Sequence, residues 1–336
     1  VPDNFYLMMA DWAWVTYTVL EVLIAVACCL GNVLVVCAVA VGIHDCLREP
    51  TFCFLVSLAV ADFLVGAAAV PLAILLDGWV NLTSHQCLFL SCVILVLTEA
   101  SVLSLLAIAI DRYLRLYKAI VTQRRTLLAM SVCWILSFLL GFTPLLGWHN
   151  LSATGYYSTN TSSTLPSSSQ CTFLSVISLP FMVYFNFLGC IMAPLLVMTF
   201  LYIIIFWSLH KRLKNSCPQA QAMLLREKKL ACSLALVLTL FAFCWIPLHL
   251  MNCLLFLWGP QAVTQGALYT GILLSHANSA VNPVVYACRI PKIQKAYGQI
   301  WKHLAGRILC QAVSRSQPTQ TTCSIANIEA EETISC

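Results

Sequence analysis

Charge is what this sequence has least of. Only 9% of its 336 residues are Asp, Glu, Lys or Arg, where soluble domains carry about a quarter. With 60% of the chain hydrophobic, an ordinary soluble domain and wholesale disorder are both excluded. Positive charge is missing from whole regions: segments 1–13, 77–85, 149–175 and 259–262 contain no Lys or Arg. No internal repeat is present, which argues against a transporter built from duplicated halves. No Cys/His spacing matches a zinc site, so no resident metal or cofactor is expected, and nothing suggests a nucleic-acid partner. A cleavable leader is not visible either, and the first apolar run is expected to serve as its own insertion signal.

What is present is apolar sequence in long blocks. Seven runs, at residues 14–41, 52–76, 86–116, 127–148, 176–207, 230–258 and 263–287, reach the ~20 residues a spanning helix needs. Helices follow because the bilayer core has no water to satisfy open backbone groups. The expected fold is an all-α membrane protein, a bundle of seven transmembrane helices. All 18 basic residues lie at Arg48, Arg112 to Arg125, Lys211 to Lys229, and from Arg289 onward. The positive-inside rule makes those segments cytosolic, leaving the N-terminus outside and the C-terminus inside. The sequons at Asn81, Asn150 and Asn160 all fall on the outer side and are candidate glycosylation sites. Most of the 18 cysteines sit in apolar spans as small buried residues. Only Cys87 and Cys171 stand near the oxidising face as a disulfide pair.

The chain divides into an extracellular segment 1–13, a membrane domain 14–288, a short eighth helix 291–305 and a disordered cytosolic tail 306–336. Lys292, Lys295 and Lys302, with Ile293, Ala296, Tyr297 and Ile300, make that eighth helix amphipathic, suited to the inner leaflet. Cys310 is either a palmitoylation site or a free thiol.

Polar groups inside spans are expensive and so are candidates for function. Glu21 lies in the first run, Asp62 in the second, and Thr98, Glu99 and Ser101 form a patch in the third. In the sixth, Pro247 frees a carbonyl and lets the helix bend. Trp245, Leu248, His249 and Asn252 share one face, with the amide ~10 Å beyond the indole. That arrangement suits a ligand-operated span, and equally a buried helix that is merely kinked. Asp62 alone reads as a proton relay or a cation ligand. An ion path through Asp62, Glu99 and His276 would make a transporter, and Ser275 with His276 would suggest a hydrolase. The hydrolase fails on geometry, because adjacent residues diverge by ~100° around a helix. No enzyme activity is expected.

Several motifs, in order along the chain, carry a resemblance. Gly31-Asn32, Leu58 to Asp62, Asp111-Arg112-Tyr113, Trp134, Pro194, Cys244-Trp245-Ile246-Pro247 and Asn282-Pro283-Val284-Val285-Tyr286 resemble the rhodopsin-like G-protein-coupled receptors. Narrower stretches, 105–115, 182–187, 245–249 with Asn252-Cys253, 274–279 and Cys171-Thr172-Phe173, are similar to the adenosine receptors, nearest the type-one and type-three branch.

The resemblance implies a site for adenosine or a related nucleoside. Phe173 would stack on the adenine and the Asn252 amide would meet its edge. Met182, Leu248 and Ile272 would wall the base, with Asn186, His249 and Trp245 completing the site. Thr98, Glu99, Ser275 and His276 would face the ribose, and Glu21 would hold His276. Asp62, Ser101, Asn278 and Asn282 would hold an allosteric sodium ion. Asp111, Arg112, Tyr113, Glu227, Tyr202 and Tyr286 would form the switch toward an inhibitory heterotrimeric G protein, lowering cyclic AMP. Arrestin and receptor kinases would meet the tail. Two residues depart from the pattern. Glu99 stands where a neutral Gln or His is usual, and Leu174 where several members have Glu. Glu99 keeps open a receptor of the same fold for a different small ligand.

Overall fold

The computed structural model describes residues 2–42, 50–76, 82–117, 122–150 and 171–316. Arg48, the sequons at Asn81 and Asn160, the serine-rich part of the loop before Cys171, the Cys310 side chain and the tail beyond Ser316 lie outside the described residues. Among the described residues the long elements are all helical. Helix α1 covers Pro2–Gly42, and α2 runs Pro50–Leu64, through π-helical Val65–Ala69, to Val70–Leu76. Next come α3 (Ser84–Leu116), α4 (Gln123–Gly141) and α5, which begins π-helical at Phe181–Met192 and continues as Ala193–Lys214. Then follow α6 (Pro218–Trp258), α7 (Gln265–Arg289) and α8 (Pro291–Ser316).

Local chemistry explains most of these ends. The Thr83, Thr122 and Thr264 hydroxyls each accept from a backbone N–H of the helix they precede, at Gln86, Arg125 and Ala267, which satisfies an otherwise orphaned donor. Pro218 opens α6, where its missing N–H has no partner to lose. Gly259 ends that helix at a φ of 82°, a conformation other residues resist. The two π-helical stretches have a shared cause. Each lies just before a proline, Pro71 in α2 and Pro194 in α5, whose ring cannot donate backward and crowds the carbonyl four residues earlier. Wider turns absorb that misfit.

The helices close on themselves: α1 packs on both α2 and α7, and α6 lies between α5 and α7. Helix α3 touches α2, α4, α5 and α6, so it runs through the centre. Helix α4 packs on α2 and α3 and turns Leu128, Val132, Ile135 and Leu139 outward, one helical stripe suited to lipid. Six described helices are long and apolar enough to cross a membrane. Helix α7, with 25 residues, is long enough too. Its Ser275, His276, Asn278, Ser279 and Asn282 dilute its apolar character, and all five are buried. The seventh crossing is therefore fixed by closure of the bundle more than by hydropathy.

Helix α8 packs back on α1 and α7, burying Ile293 and Ala296 while Trp301 stays exposed. Burial pushes the Tyr297 hydroxyl up to about 12, so it stays neutral. Residues 306–316, expected to belong to an unstructured tail, continue this helix to Ser316. Ile308, Leu309, Ala312 and Val313 maintain helical apolar spacing there.

Candidate functional site

At the end of the bundle where α6 finishes and α7 begins, the helices leave a cavity of about 420 Å³, within the range of small-molecule sites. A disulfide joins Cys87, near the start of α3, to Cys171, with the Cα atoms 6.0 Å apart. It holds the one-turn helix Phe173–Val176 at the cavity edge, where Thr172, Phe173 and Leu174 form part of the lining. The other side of this turn is fixed by the backbone of Asn150, which donates to the Val176 carbonyl at 3.0 Å. The half-buried Asn150 side chain also donates, through Nδ2, to Ile177 O at 3.5 Å.

Eleven of the thirteen ligand residues expected from sequence meet at this cavity. Phe173, Met182, Leu248, Asn252 and Ile272 line one part of it. Thr98, Asn186, Trp245, His249, Ser275 and His276 line the rest. The Thr98 hydroxyl donates to Ile94 O at 3.0 Å, and the Ser275 hydroxyl to Ile272 O at 2.7 Å. Both oxygens keep lone pairs for a ligand hydroxyl. Glu21 does not line the cavity but sits behind it, fully buried. Its two oxygens lie 2.9 and 2.8 Å from His276 Nδ1, which fixes the ring and presents the opposite nitrogen.

Glu99 is the exception. It neighbours Thr98 in sequence, yet it is buried at 2% exposure and absent from the lining. One residue is ~100° of helical rotation, so with Thr98 facing the cavity Glu99 turns toward α5. There its carboxyl meets the Cys190 thiol, and Oε2 has no hydrogen-bond partner.

Sequence reasoning missed two tyrosines. Tyr17 and Tyr269 stack at 4.2 Å with planes 12° apart and close the cavity between α1 and α7. Helical spacing could have found them: Tyr17 lies four residues before Glu21 and Tyr269 seven before His276, so each shares its partner's face.

Below the cavity α6 carries a column of rings. Phe187 stacks on His249 at 4.9 Å, His249 lies 5.9 Å from Trp245, and Trp245 6.1 Å from the buried Phe241. Both His249 nitrogens lack partners. The column links the cavity floor to the central core.

Beneath it Asp62 is fully buried. Ser101 and Ser279 donate to its Oδ1, each at 2.9 Å, and Asn282 donates to Oδ2 at 2.8 Å. Of the four residues expected here Asn278 makes no bond to Asp62, and its buried Nδ2 has no partner. Ser279, one residue further along α7, donates in its place. The set of one carboxylate, two hydroxyls and nearby amides suits a small hard cation by donor type.

At the far end Arg112 reaches Glu227 on α6 at 3.2 Å. Asp111 is held by Arg115 at 3.1 Å and by the Thr51 hydroxyl at 2.6 Å, and Arg112 also donates to Thr51. Tyr202 and Tyr286 are buried and lie within electrostatic reach of each other. Tyr113 packs against Tyr117 with ring centres 5.0 Å apart.

The cavity thus offers an aromatic ring and an amide among apolar walls at one side. At the other it offers two hydroxyls and an oriented imidazole. That mix of groups matches, by chemical type, a flat polar heterocycle joined to a polyol. Residues 31–286 match the family described as 7 transmembrane receptor (rhodopsin family). The chain is 43% identical over 318 residues to the adenosine receptor A3 of Ovis aries, covering 92% of this chain and 96% of that protein. It is 43% identical over 306 residues to the adenosine receptor A3 of Canis lupus familiaris, covering 89% and 93%. With that of Bos taurus it shares 42% over 316 residues, covering 91% and 95%.

Proposed function

The chain belongs to the adenosine receptors within the rhodopsin family of seven-transmembrane receptors, and from that premise we propose that it binds extracellular adenosine and activates an inhibitory G protein. It is a multi-pass plasma-membrane protein and not an enzyme. In this reading the N-terminus is extracellular, which the distribution of Lys and Arg supports. The observation that carries the proposal is the convergence on one cavity of Phe173, Asn252, Ser275 and His276.

Phe173 covers the purine face, and the Asn252 amide matches the exocyclic amine and neighbouring ring nitrogen with one acceptor and one donor. The ribose hydroxyls meet Thr98, Ser275 and His276. A ligand without the sugar leaves those buried groups unpaired and loses affinity. Contacts to α6 and α7 made together favour one relative position of the two helices. The ring column from His249 through Trp245 to Phe241 carries that preference into the core. The Arg112–Glu227 pair favours the closed arrangement, in which α6 stays against α3. Agonist shifts the population by binding the open arrangement more tightly. Sodium at Asp62, Ser101, Ser279 and Asn282 would offset the buried carboxylate charge.

The test is saturation binding of a radiolabelled adenosine agonist to membranes of expressing cells. Asn252→Ala is expected to weaken binding by roughly 100-fold or more, from two lost hydrogen bonds in a buried site. Adenosine should lower cyclic AMP in the same cells. A surface-expressed chain without saturable nucleoside binding would instead favour a different ligand.

A further inference from the structure

The turn between α5 and α6 carries a feature that the ligand switch does not use. It is three residues long, Asn215-Ser216-Cys217, between Lys214 ending α5 and Pro218 opening α6. In the orientation proposed above it is cytosolic. Lys211, Arg212 and Lys214 form the last turn of α5 immediately before it. No Asp or Glu occurs in the sequence between Asp111 and Glu227, and Glu227 already pairs with Arg112. Among the described residues no carboxylate pairs with any of these three cations. Lys211 instead lies 5.5 Å over the exposed Trp207 ring. We propose that Ser216 is a phosphorylation site for a serine kinase that selects basic substrates, and that the phosphate weakens coupling to the G protein.

Recognition follows from charge. A kinase cleft lined with carboxylates takes cations at fixed distances from the target hydroxyl, and Arg212 and Lys214 precede Ser216 by four and two residues. Nearby hydroxyls offer less. Thr126 is fully buried. Thr122, whose hydroxyl caps α4, has a single cation in the five residues before it where Ser216 has three. Ser216 is half-buried and outside both helices, between the exposed Asn215 and Cys217. Cys217 is already extended, at φ −68° and ψ 160°. The contacts that close the turn are helix-end bonds. Ser216 Oγ donates to Arg212 O at 2.7 Å, and Gln221 Nε2 donates to the Leu213 and Ser216 carbonyls at 3.3 and 3.0 Å. Bonds of this kind open locally at much less than the cost of unfolding, which frees the serine for the kinase. The kinase moves the γ-phosphoryl group of ATP onto Ser216 Oγ; the hydroxyl proton passes to its catalytic base and ADP leaves. The ester oxygen then has no proton to give Arg212 O. The phosphate, with about two negative charges, lies between the C-terminus of α5, which repels it, and the N-terminus of α6, which attracts it. Those effects oppose each other, so Arg212 and Lys214 decide, folding onto the phosphate. The turn leading into α6 thereby presents less positive charge to an acidic docking partner.

The experiment uses membranes of cells expressing the full chain, opened to expose both faces, with magnesium ATP and the catalytic fragment of protein kinase C. Mass spectrometry should place phosphate on Ser216, and Ser216→Ala should abolish that signal. Arg212→Ala with Lys214→Ala should slow its appearance roughly tenfold, from loss of the cations the kinase reads. The intact Cys87–Cys171 disulfide reports correct folding of each variant. Phosphate confined to other residues at saturating kinase overturns the site, and an unchanged rate in the double variant overturns recognition by charge. Coupling rests on the nucleoside reading and has its own readout. Ser216→Glu should need roughly three- to tenfold more agonist than the parent to lower cyclic AMP, with Ser216→Gln unchanged. Equal potency of those two variants overturns the effect on coupling. Absence of any nucleoside response would sink the earlier reading alone, because the phosphate mapping needs no agonist.

Discussion

Asp62 and Glu99 are both buried carboxyls in mid-bundle, and their surroundings assign them different work. Asp62 receives three side-chain hydrogen bonds from α3 and α7, an arrangement that stabilises a charged carboxylate and offers oxygen ligands to a cation. Asp62→Asn should therefore make agonist affinity indifferent to replacing sodium chloride by choline chloride. A retained sodium effect rejects the cation site. Glu99 has one oxygen without any partner, a condition that costs about 1–3 kcal/mol in buried groups. Because it turns away from the cavity, Glu99→Leu should raise thermal stability by roughly 1 kcal/mol and leave nucleoside affinity within about threefold, less than the one hydrogen bond a direct contact would contribute. A tenfold loss of affinity would return Glu99 to the ligand site. The sequence reading grouped Glu99 with Thr98 because both are polar and adjacent, but adjacency on a helix means divergence. Tyr17 and Tyr269 could be placed on the faces of Glu21 and His276 by helical spacing, but their stacking against each other follows only from the closure of α1 on α7.

At the scale of the helix, apolar length predicted all seven spans from sequence, while six described helices are long and apolar enough to cross a membrane and the buried polar residues of α7 dilute the seventh. The π-helical stretches in the middle of α2 and at the start of α5 were not legible, because a proline announces a disturbance without saying how the backbone absorbs it. Nor was the extension of α8 to Ser316, where weak apolar spacing was outweighed by the polar composition that follows. Helix α6 is the element whose position matters most. It is tied to α3 by Arg112–Glu227, with the Glu227 side chain 48% exposed. Screening by water limits such a pair to about 1 kcal/mol or less, so it can bias α6 without locking it. Glu227→Gln is therefore expected to raise agonist-independent signalling by roughly two- to fivefold, measured as basal suppression of cyclic AMP at matched surface expression. Unchanged basal signalling would mean that α6 is held by its packing, and that the ion pair is incidental.

For the molecule as a whole, the question is what joins a lipid-facing bundle to a polar ligand site at one end. Charge distribution and span length settled the bundle from sequence. The site was legible only residue by residue, through its likeness to known receptors, because its members come from five helices and a loop. The loop contributes Phe173, two residues from Cys171, and three restraints act on it. These are the disulfide to α3, the Asn150–Val176 backbone bond and the capping contacts between Thr172 and Ser175. The disulfide closes a sequence separation of 84 residues, so without it the turn has a long tether and few fixed contacts. Replacing both partners, Cys87→Ser with Cys171→Ser, avoids leaving a reactive thiol. The helices keep their own packing, so the bundle should still form. Phe173 would then cover the purine only part of the time. Agonist dissociation should accelerate about tenfold or more while association changes little, since affinity changes within one site act mainly through the off-rate. Dissociation as slow as in the parent would show that the Asn150 and Thr172 contacts hold the ring unaided, and would leave the disulfide a role in stability alone.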